Sequence, residues 1–285
     1  MKFGLGSYYG SARDTAECAR LAEEAGWDGL FIGDAIWCVD PMVSLAAAAM
    51  VTIRIRLGTM VIPVPLRRPW KVASESAALD NLSGGRLILG LGAGAVYMGW
   101  QGFPDEVTDT RTRAQMLDES IDIITLLYRR RPFDFDGRQY HLRLTEVDEQ
   151  YYPPKPVQQP RIPIWVPGIW PREKSMRRVL RCDGLLPTRM DEQGQHVGFT
   201  ADHIREMKAY ISTNRSATTP FDIVVEGRTP GADSDQAAGV TRMWADGGAT
   251  WWIEAMWGEP DRPVDYEAIR RRIQQGPPRF ERNNQ

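Results

Sequence analysis

Residues 54–95 constrain the fold more than any other part of the chain, because they form the pattern of a strand, a helix and a second strand. Residues 55–62 are apolar and rich in β-branched side chains, which is typical of a strand buried on both faces. Pro69 suits the first turn of the following helix, and residues 83–85 (Ser-Gly-Gly) suit its end. Residues 86–91 form a second apolar run. Two strands joined by a helix predict a parallel pair with a right-handed crossover.

The same alternation of strands and helices continues along the rest of the chain. Strands are predicted at residues 2–7, 29–33, 55–62, 86–91, 162–166, 184–186, 221–226 and 250–254. Because a (β/α)8 barrel commonly needs roughly 250 residues, the 285-residue chain is predicted to be an α/β protein with one TIM-barrel domain over residues 1–285. An insertion between strands 4 and 5 is predicted at about residues 95–161, where a hairpin and a proline-rich stretch interrupt the pattern.

Composition excludes several classes of partner. The formal net charge of −2 gives no reason to expect nucleic acid or an anionic membrane surface. The three cysteines are scattered, which predicts no metal site and favours a reducing compartment. Neither a signal peptide nor an apolar run of membrane-spanning length is evident, so a cytoplasmic protein is expected. Only three histidines occur, which disfavours a mechanism built on a histidine base or a histidine metal site.

The carboxyl ends of the strands are the ligand-binding face of a parallel barrel. The residues predicted there are Ser7, Tyr8, Tyr9, Asp34, Trp37, Thr59, Met60, Val61, Gly92, Ala93, Gly94, Pro167, Gly168, Thr188, Arg189, Glu226, Arg228, Glu254 and Trp257. Flat apolar walls beside glycine backbone suit a planar heteroaromatic ring. No GxSxG elbow or cysteine–histidine pair is evident, so chemistry carried by a cofactor is favoured.

Several of these residues also have structural interpretations. Asp34 could cap the segment that follows it, and Glu226 and Glu254 could form ion pairs with neighbouring arginines. Gly92 and Gly94 could simply turn the chain. Residues 90–95 fit the G-x-G-x-x-A dinucleotide fingerprint. That fingerprint requires a helix to begin at once, whereas the next helical pattern begins near residue 110, so a Rossmann fold is not predicted.

Six segments together carry a family resemblance. They are AEEAGWDGLFIGD (22–34), LGTMVIPVPLRRP (57–69), LSGGRLILGLGAG (82–94), PFDFDGRQYHL (132–142), PVQQPRIPIWVPG (156–168) and CDGLLPT (182–188). In these segments the chain resembles the luciferase-like family of flavin- and deazaflavin-dependent oxidoreductases. The resemblance implies a (β/α)8 barrel with insertions, often a homodimer, that binds reduced FMN or coenzyme F420 at the carboxyl face.

The resemblance also implies roles for individual residues. A bulge in strand three, often with a non-prolyl cis peptide, would support the cofactor ring at Thr59, Met60 and Val61. The cofactor tail would contact Gly92, Ala93, Gly94, Pro167 and Gly168, with Thr188 as a further cofactor contact. Asp34 matches an acidic position near the ring and is the first catalytic candidate. The other two candidates, Glu226 and Glu254, come from their places at the strand ends and not from the resemblance. No metal ligand is implied.

Two positions depart from the family pattern. Ala35 stands where many members have a histidine that serves in proton transfer, and Ala95 stands where some deazaflavin dehydrogenases have an acid. These losses argue against sugar-phosphate dehydrogenation and leave Tyr8, Arg189, Glu226 or Glu254 as substitutes.

The leading hypothesis is an oxidoreductase that uses FMN or F420 to pass a hydride to, or to oxygenate, a small organic substrate. A flavin or F420 reductase would be its partner. Arg67 and Arg68 would suit the acidic tail of F420, but the sequence does not separate the two cofactors. The alternative is a non-redox lyase or isomerase barrel, or a cofactor-binding protein without turnover.

Overall fold

The computed structural model describes residues 1–7, 10–144, 149–257 and 265–279. The strands are β1 (Lys2–Ser7), β2 (Gly29–Ile32), β3 (Arg56–Thr59), β4 (Ile62–Pro63), β5 (Leu87–Gly92), β6 (Asp134–Asp136), β7 (His141–Arg143), β8 (Ile164–Trp170), β9 (Gly184–Met190), β10 (His196–Val197), β11 (Asp222–Gly227) and β12 (Trp251–Ala255). The helices are α1 (Ala12–Ala25), α2 (Pro41–Val51), α3 (Pro69–Leu82), α4 (Thr110–Tyr128), α5 (Glu173–Leu180), α6 (Ala201–Asn214), α7 (Ser234–Gly247) and α8 (Tyr266–Gln274).

Eight of the strands close into a parallel barrel. Their order around the ring is β1, β2, β3, β5, β8, β9, β11 and β12, and β12 pairs again with β1. A helix follows each of these strands, which confirms the predicted (β/α)8 architecture. The remaining strands are short: β4 extends the pairing with β5, β10 pairs antiparallel with β9, and β6 and β7 form a hairpin.

The helices begin and end where local chemistry favours it. Ser11 caps α1 in a capping box with Asp14, and Gly26 ends the helix at φ 89°, a conformation that favours glycine. Asp40 caps α2, and Pro41 stands in its first turn, where the missing N–H leaves no hydrogen bond unmade. Each of these signals lies within a few residues of the helix end that it determines.

Three aromatic rings fill the amino-terminal half of the barrel. Phe31 stacks on Trp165 at 5.1 Å between ring centroids, and Trp251 meets both rings edge-on at 5.5 Å. All three side chains are buried. Glycines on the neighbouring strands make room, because a Cβ at Gly58 would lie 2.5 Å from Phe31 and one at Gly184 would lie 2.2 Å from Trp165. Large rings and small residues therefore interlock across the strands.

The segment between β5 and β8 holds α4 and the β6–β7 hairpin. Helix α4 packs on α3 as a barrel helix does, although it lies within the predicted insertion. The carboxylate of Glu119 on α4 accepts hydrogen bonds from the backbone amides of Arg138, Gln139 and Tyr140. The side chain of Tyr140 packs beside Ile123 of α4. The hairpin is therefore fixed to the outside of the barrel.

Within the described ranges, no helix has both the length and the apolar character needed to cross a membrane. Cys18, Cys38 and Cys182 are free thiols.

We expect Gly58→Ala to lower the free energy of unfolding by about 1–3 kcal/mol, because the new methyl group would press on the buried Phe31 ring and on the Ile88 carbonyl. Gly239→Ala is the matched control, since Gly239 is exposed within α7 and has no atom near its missing Cβ. The control should gain roughly 0.5–1 kcal/mol from helix propensity. Urea unfolding measures both, and an unchanged Gly58 variant would contradict the interlocked packing.

Candidate active site

The third strand of the barrel breaks at its carboxyl end. A continuous strand over residues 55–62 was predicted from the apolar pattern, and this was wrong: β3 ends at Thr59, and pairing resumes with β4 at Ile62. The Met60–Val61 peptide between them is cis. Met60 donates its backbone amide to the carbonyl of Ile32 at 2.8 Å, so the break remains attached to β2. The structure therefore has the bulge that the family resemblance implied.

The Thr59 side chain replaces the backbone pairing that the break removes. Its hydroxyl donates to the carbonyl of Gly90 at 2.8 Å and accepts from the amide of Gly90 at 2.9 Å. Thr59 is fully buried. A Cβ at Gly90 would lie 2.1 Å from the Thr59 carbonyl oxygen, so only glycine permits this approach. Thr59 therefore supports the bulge from behind.

Met60 and Val61 form an apolar floor at the mouth of the barrel. Both are half-buried and pack against the inner core cluster that includes Ile88, Leu186 and Ile253. The rings of Phe31, Trp165 and Trp251 lie in the same cluster and close the barrel below Met60 and Val61. This arrangement leaves the strand ends as the open side, on the carboxyl-terminal face where the site was predicted.

The loop that follows β5 lies directly beside this floor. A Cβ at Gly92 would lie 2.5 Å from Cγ2 of Val61 and 3.8 Å from Cγ of Pro167, so these three predicted site residues come together. Gly94 has φ 82° and packs closely on Trp100. Arg113 of α4 donates to the carbonyls of Ala93 and Gly94 at 2.9 and 2.7 Å. Arg113 thus holds this loop, residues 92–95, from its outer side, and we call the loop the glycine loop.

Strands β8 and β9 are longer than the sequence predicted. The predicted ends at residues 166 and 186 were wrong, because β8 and β9 pair as far as Trp170 and Arg189. Pro167 and Thr188 consequently lie within strands and are half-buried. A Cβ at Gly168 would meet the side chains of Leu185 and Val179 at 2.4 and 2.7 Å, so packing explains this glycine.

Asp34 lies at the end of β2 in a buried ion pair. Arg67 approaches its Oδ2 at 2.9 Å, and the Asp34 side chain is only 6% exposed. Arg67 also approaches Asp40 at 3.0 Å and Glu75 at 3.9 Å. Burial raises the pKa of the Asp34 carboxyl, and the nearby Arg67 guanidinium offsets part of that rise. The helix cap that was the alternative for Asp34 is supplied by Asp40.

The two glutamates point to different sides of the barrel wall. Glu226 accepts a hydrogen bond at 2.9 Å from the indole of Trp257, whose ring covers Gly6 at the end of β1. Glu226 therefore lies at the mouth.

Glu254 points outward, because successive side chains of a strand alternate and Ile253 occupies the inner face. Its carboxylate is buried and accepts from the backbone amide and hydroxyl of Thr229 and from the guanidinium of Arg272. The structure does not bring Glu254 to the other predicted site residues. Glu254 instead has the structural role given above as the alternative, an ion pair with a neighbouring arginine.

Some functional positions were missed or cannot be placed. Trp100 was missed because residues 95–109 show no periodic pattern that would indicate buried side chains. Arg113 was missed because its place in the next helix does not show that it contacts the loop after β5. Tyr8 and Tyr9 lie outside the described residues.

An apolar cavity of about 360 Å³ between α3 and α4, lined by residues such as Ala77 and Leu127, contains none of the predicted site residues. Among the described residues, no cluster of three potential ligands could hold a metal ion.

Comparison with known proteins gives a consistent result. The model of the luciferase-like monooxygenase family matches residues 2–281. A protein of Mycobacterium tuberculosis with the provisional name coenzyme F420-dependent oxidoreductase is 36% identical over 200 residues, which is 66% of this chain and 55% of that protein. The chain spans about half the length of the curated relatives it matches.

Two solved structures share the fold. The coenzyme F420-dependent tetrahydromethanopterin reductase of Methanopyrus kandleri superimposes with a TM-score of 0.71, at 16% identity, over 96% of this chain and 98% of that one. The oxygenating constituent of 3,6-diketocamphane monooxygenase from Pseudomonas putida, solved in complex with FMN, gives a TM-score of 0.61 at 21% identity, over 85% and 71% of the two chains.

Proposed function

The chain belongs to the luciferase-like monooxygenase family, and on that premise we propose that it is an oxidoreductase that uses FMN or coenzyme F420. The single observation that carries the proposal is the break of the third barrel strand at Met60 and Val61, placed beside Gly92 at the open face. An F420-dependent relative and an FMN-containing structure of the same fold support this choice of cofactors.

The residues at the mouth fit a flat ring with an anionic tail. Met60 and Val61 offer an apolar floor, and the absence of a side chain at Gly92 leaves its backbone open to close approach. The tail would lie along the glycine loop, with Pro167 and Thr188 on the adjoining strands. When bound, the reduced cofactor supplies a hydride to an unsaturated substrate, or the electrons for oxygenating one.

The chain's own residues would bind, orient and exclude water. The apolar floor would keep water away from the face of the ring that lies on it. Asp34, held by Arg67, would orient a water or substrate group at the edge of the ring. Glu226 is held by Trp257 at the end of β11, three strands from β2 around the ring, and is a second candidate for this role.

The substrate would be a small organic molecule with an apolar body. Two neighbouring loops at the mouth carry exposed apolar side chains: Trp37 is 88% exposed and Tyr97 is 75% exposed. The loops approach each other where a Cβ at Gly99 would lie 3.8 Å from Ile36. Exposed apolar groups beside a binding site favour an apolar ligand. We also propose that the protein is cytoplasmic and that a flavin or F420 reductase supplies its reduced cofactor.

Titration of the purified protein with FMN and with F420, followed by cofactor fluorescence, tests the function. We expect one of the two to bind with a dissociation constant in roughly the micromolar range, where many cofactor sites operate. Gly92→Ala should weaken binding about tenfold or more, because the methyl group displaces the stiff Val61 side chain from the floor.

Gly239→Ala serves again as the control and should bind as the unaltered protein does. If neither cofactor binds, the redox proposal is wrong, and the non-redox barrel, which Ala35 and Ala95 favour, takes its place. If Gly92→Ala binds normally, the cofactor lies elsewhere.

We expect Asp34→Asn to reduce kcat by about 100-fold, a loss that misplacement of a reacting group can cause. The assay follows consumption of reduced cofactor with a panel of small apolar ketones and alkenes. In the unaltered protein, protonation of Asp34 breaks its ion pair, so activity should fall as pH decreases. Burial raises the Asp34 pKa, so that fall begins above the ordinary aspartate range and should vanish in the variant.

Asp40→Asn is the control, because it removes another carboxylate paired with Arg67 while asparagine still caps α2. If the Asp34 variant keeps the pH profile of the unaltered protein, Asp34 has no role in turnover.

We further propose that a second copy of the chain covers the outer face of α2. This helix has no charged residue, and Val43, Met50 and nearby Ile53 are 61%, 71% and 81% exposed. An uncharged apolar face meets its own copy without like-charge repulsion, as a two-fold interface requires.

Sedimentation velocity should show a dimer at micromolar concentration, and Met50→Glu combined with Ile53→Glu should give a monomer. Met243→Glu, an exposed position on α7, should leave the dimer intact. A monomeric unaltered protein, or a dimeric double variant, would exclude this interface.

A further inference from the structure

We propose that Arg113 is a positioning residue that sets the backbone of the glycine loop, residues 92–95, to hold a phosphate group of the cofactor tail. This inference rests on the function proposed above. It adds a residue that neither the sequence pattern nor the family resemblance indicated. The phosphate could be the monoester of FMN or the diester of F420, because both present the same anionic oxygens to the loop.

The first observation is the placement of the Arg113 side chain. Arg113 is 7% exposed and donates from one nitrogen, Nη1, to the carbonyls of Ala93 and Gly94 at 2.9 and 2.7 Å. Its guanidinium lies 5.3 Å from the ring centroid of Trp100, which is itself buried. Arg113 is therefore fixed by a ring on one side and by two consecutive backbone carbonyls on the other.

The second observation is what these contacts do to the peptide units. In a planar trans peptide the carbonyl and the following N–H point in opposite directions. The two carbonyls point to α4, so the amides of Gly94 and Ala95 point away from α4, towards the side of the mouth. Neither amide donates a hydrogen bond to another residue in the described parts of the chain. Gly94 has φ 82°, and successive amides in such a turn form a concavity that binds anions.

The third observation is the charge of Arg113. In the described ranges no carboxylate lies within 4.0 Å of its guanidinium, whereas Arg67, Arg161, Arg215 and Arg272 all have one. The charge of Asp109 acts on Arg113, but Asp109 lies beyond 4.0 Å and caps α4, so the counter-charge of this buried cation is incomplete, which is unfavourable. An anion on the other side of the loop would supply that charge through the two peptide dipoles, which Arg113 already polarises. The glycine loop and Arg113 together would thus recognise phosphate.

The experiment compares cofactors with and without phosphate. Dissociation constants for FMN and riboflavin, and for F420 and its phosphate-free deazaflavin, are measured by fluorescence titration in the full chain. The unaltered protein should prefer the phosphorylated member of one pair. Arg113→Met should reduce that preference about tenfold or more, as expected when hydrogen bonds to a charged group are lost. Its affinity for the phosphate-free ring should change less than about twofold.

Two further variants make the result specific. Arg111→Met removes the same charge from the same turn of α4, but Arg111 is exposed, so the preference should remain. Arg113→Lys keeps the charge with fewer donors, and it should retain an intermediate preference. It also tests the inference if Arg113→Met does not fold.

The possible outcomes distinguish the proposed role of Arg113 from a purely structural one. If an Arg113 variant weakens both members of a pair equally, Arg113 is only structural and the inference is wrong. The same holds if its preference for phosphate is unchanged. If the unaltered protein binds neither pair, the proposed function fails and this inference fails with it. Binding of the phosphate-free ring without any preference for phosphate overturns the inference alone.

Discussion

The candidate site depends on a steric constraint between two adjacent strands. Where β3 breaks, the Thr59 carbonyl and the Val61 side chain come so close to β5 that no Cβ fits at Gly90 or Gly92. The Thr59 hydroxyl satisfies both backbone groups of Gly90, so the break leaves neither of them unpaired in the interior. The floor of the mouth can exist only because a hydroxyl and two glycines occupy these positions.

The side chains that fill the barrel interior differ below and above the floor formed by Met60 and Val61. Below the floor, the rings of Phe31, Trp165 and Trp251 fill the amino-terminal half against glycines of neighbouring strands. Above the floor, the side chains are small or half-buried. The buried rings therefore close the barrel interior below the floor, and the strand ends at the carboxyl-terminal face remain its open side.

Most of the fold could be predicted from the sequence, because its signals are local. The apolar runs gave the eight strands, and Ser11, Gly26 and Pro41 are cap and turn residues whose chemistry acts within a few positions. The break after Thr59 could not be read from the apolar run, since Met60 and Val61 look like any buried strand. Only the family resemblance indicated it. The extra length of β8 and β9 was missed because Pro167 and Gly168 in β8, and Pro187 in β9, are residues that usually end strands.

The site was predicted less completely, because side-chain direction depends on tertiary context. Asp34 and Glu226 reach the mouth, whereas Glu254, at the end of the next strand, points outward to Thr229 and Arg272. Because side chains of a strand alternate between its two faces, the sequence could have distinguished Glu254 from Glu226. This would have required knowing which residues of β12 face the barrel interior. Arg113 acts on the site from a helix twenty positions beyond the loop, and no spacing rule connects it to that loop.

The cluster around Arg67 also has an electrostatic consequence for the entrance. One guanidinium faces Asp34, Asp40 and Glu75, so this group carries net negative charge at neutral pH. Its field extends about 8 Å at physiological ionic strength. A carboxylate group held close to this edge would be repelled, whereas an uncharged group would not. The Asp34 edge of the entrance thus favours the uncharged part of a bound molecule over an anionic part.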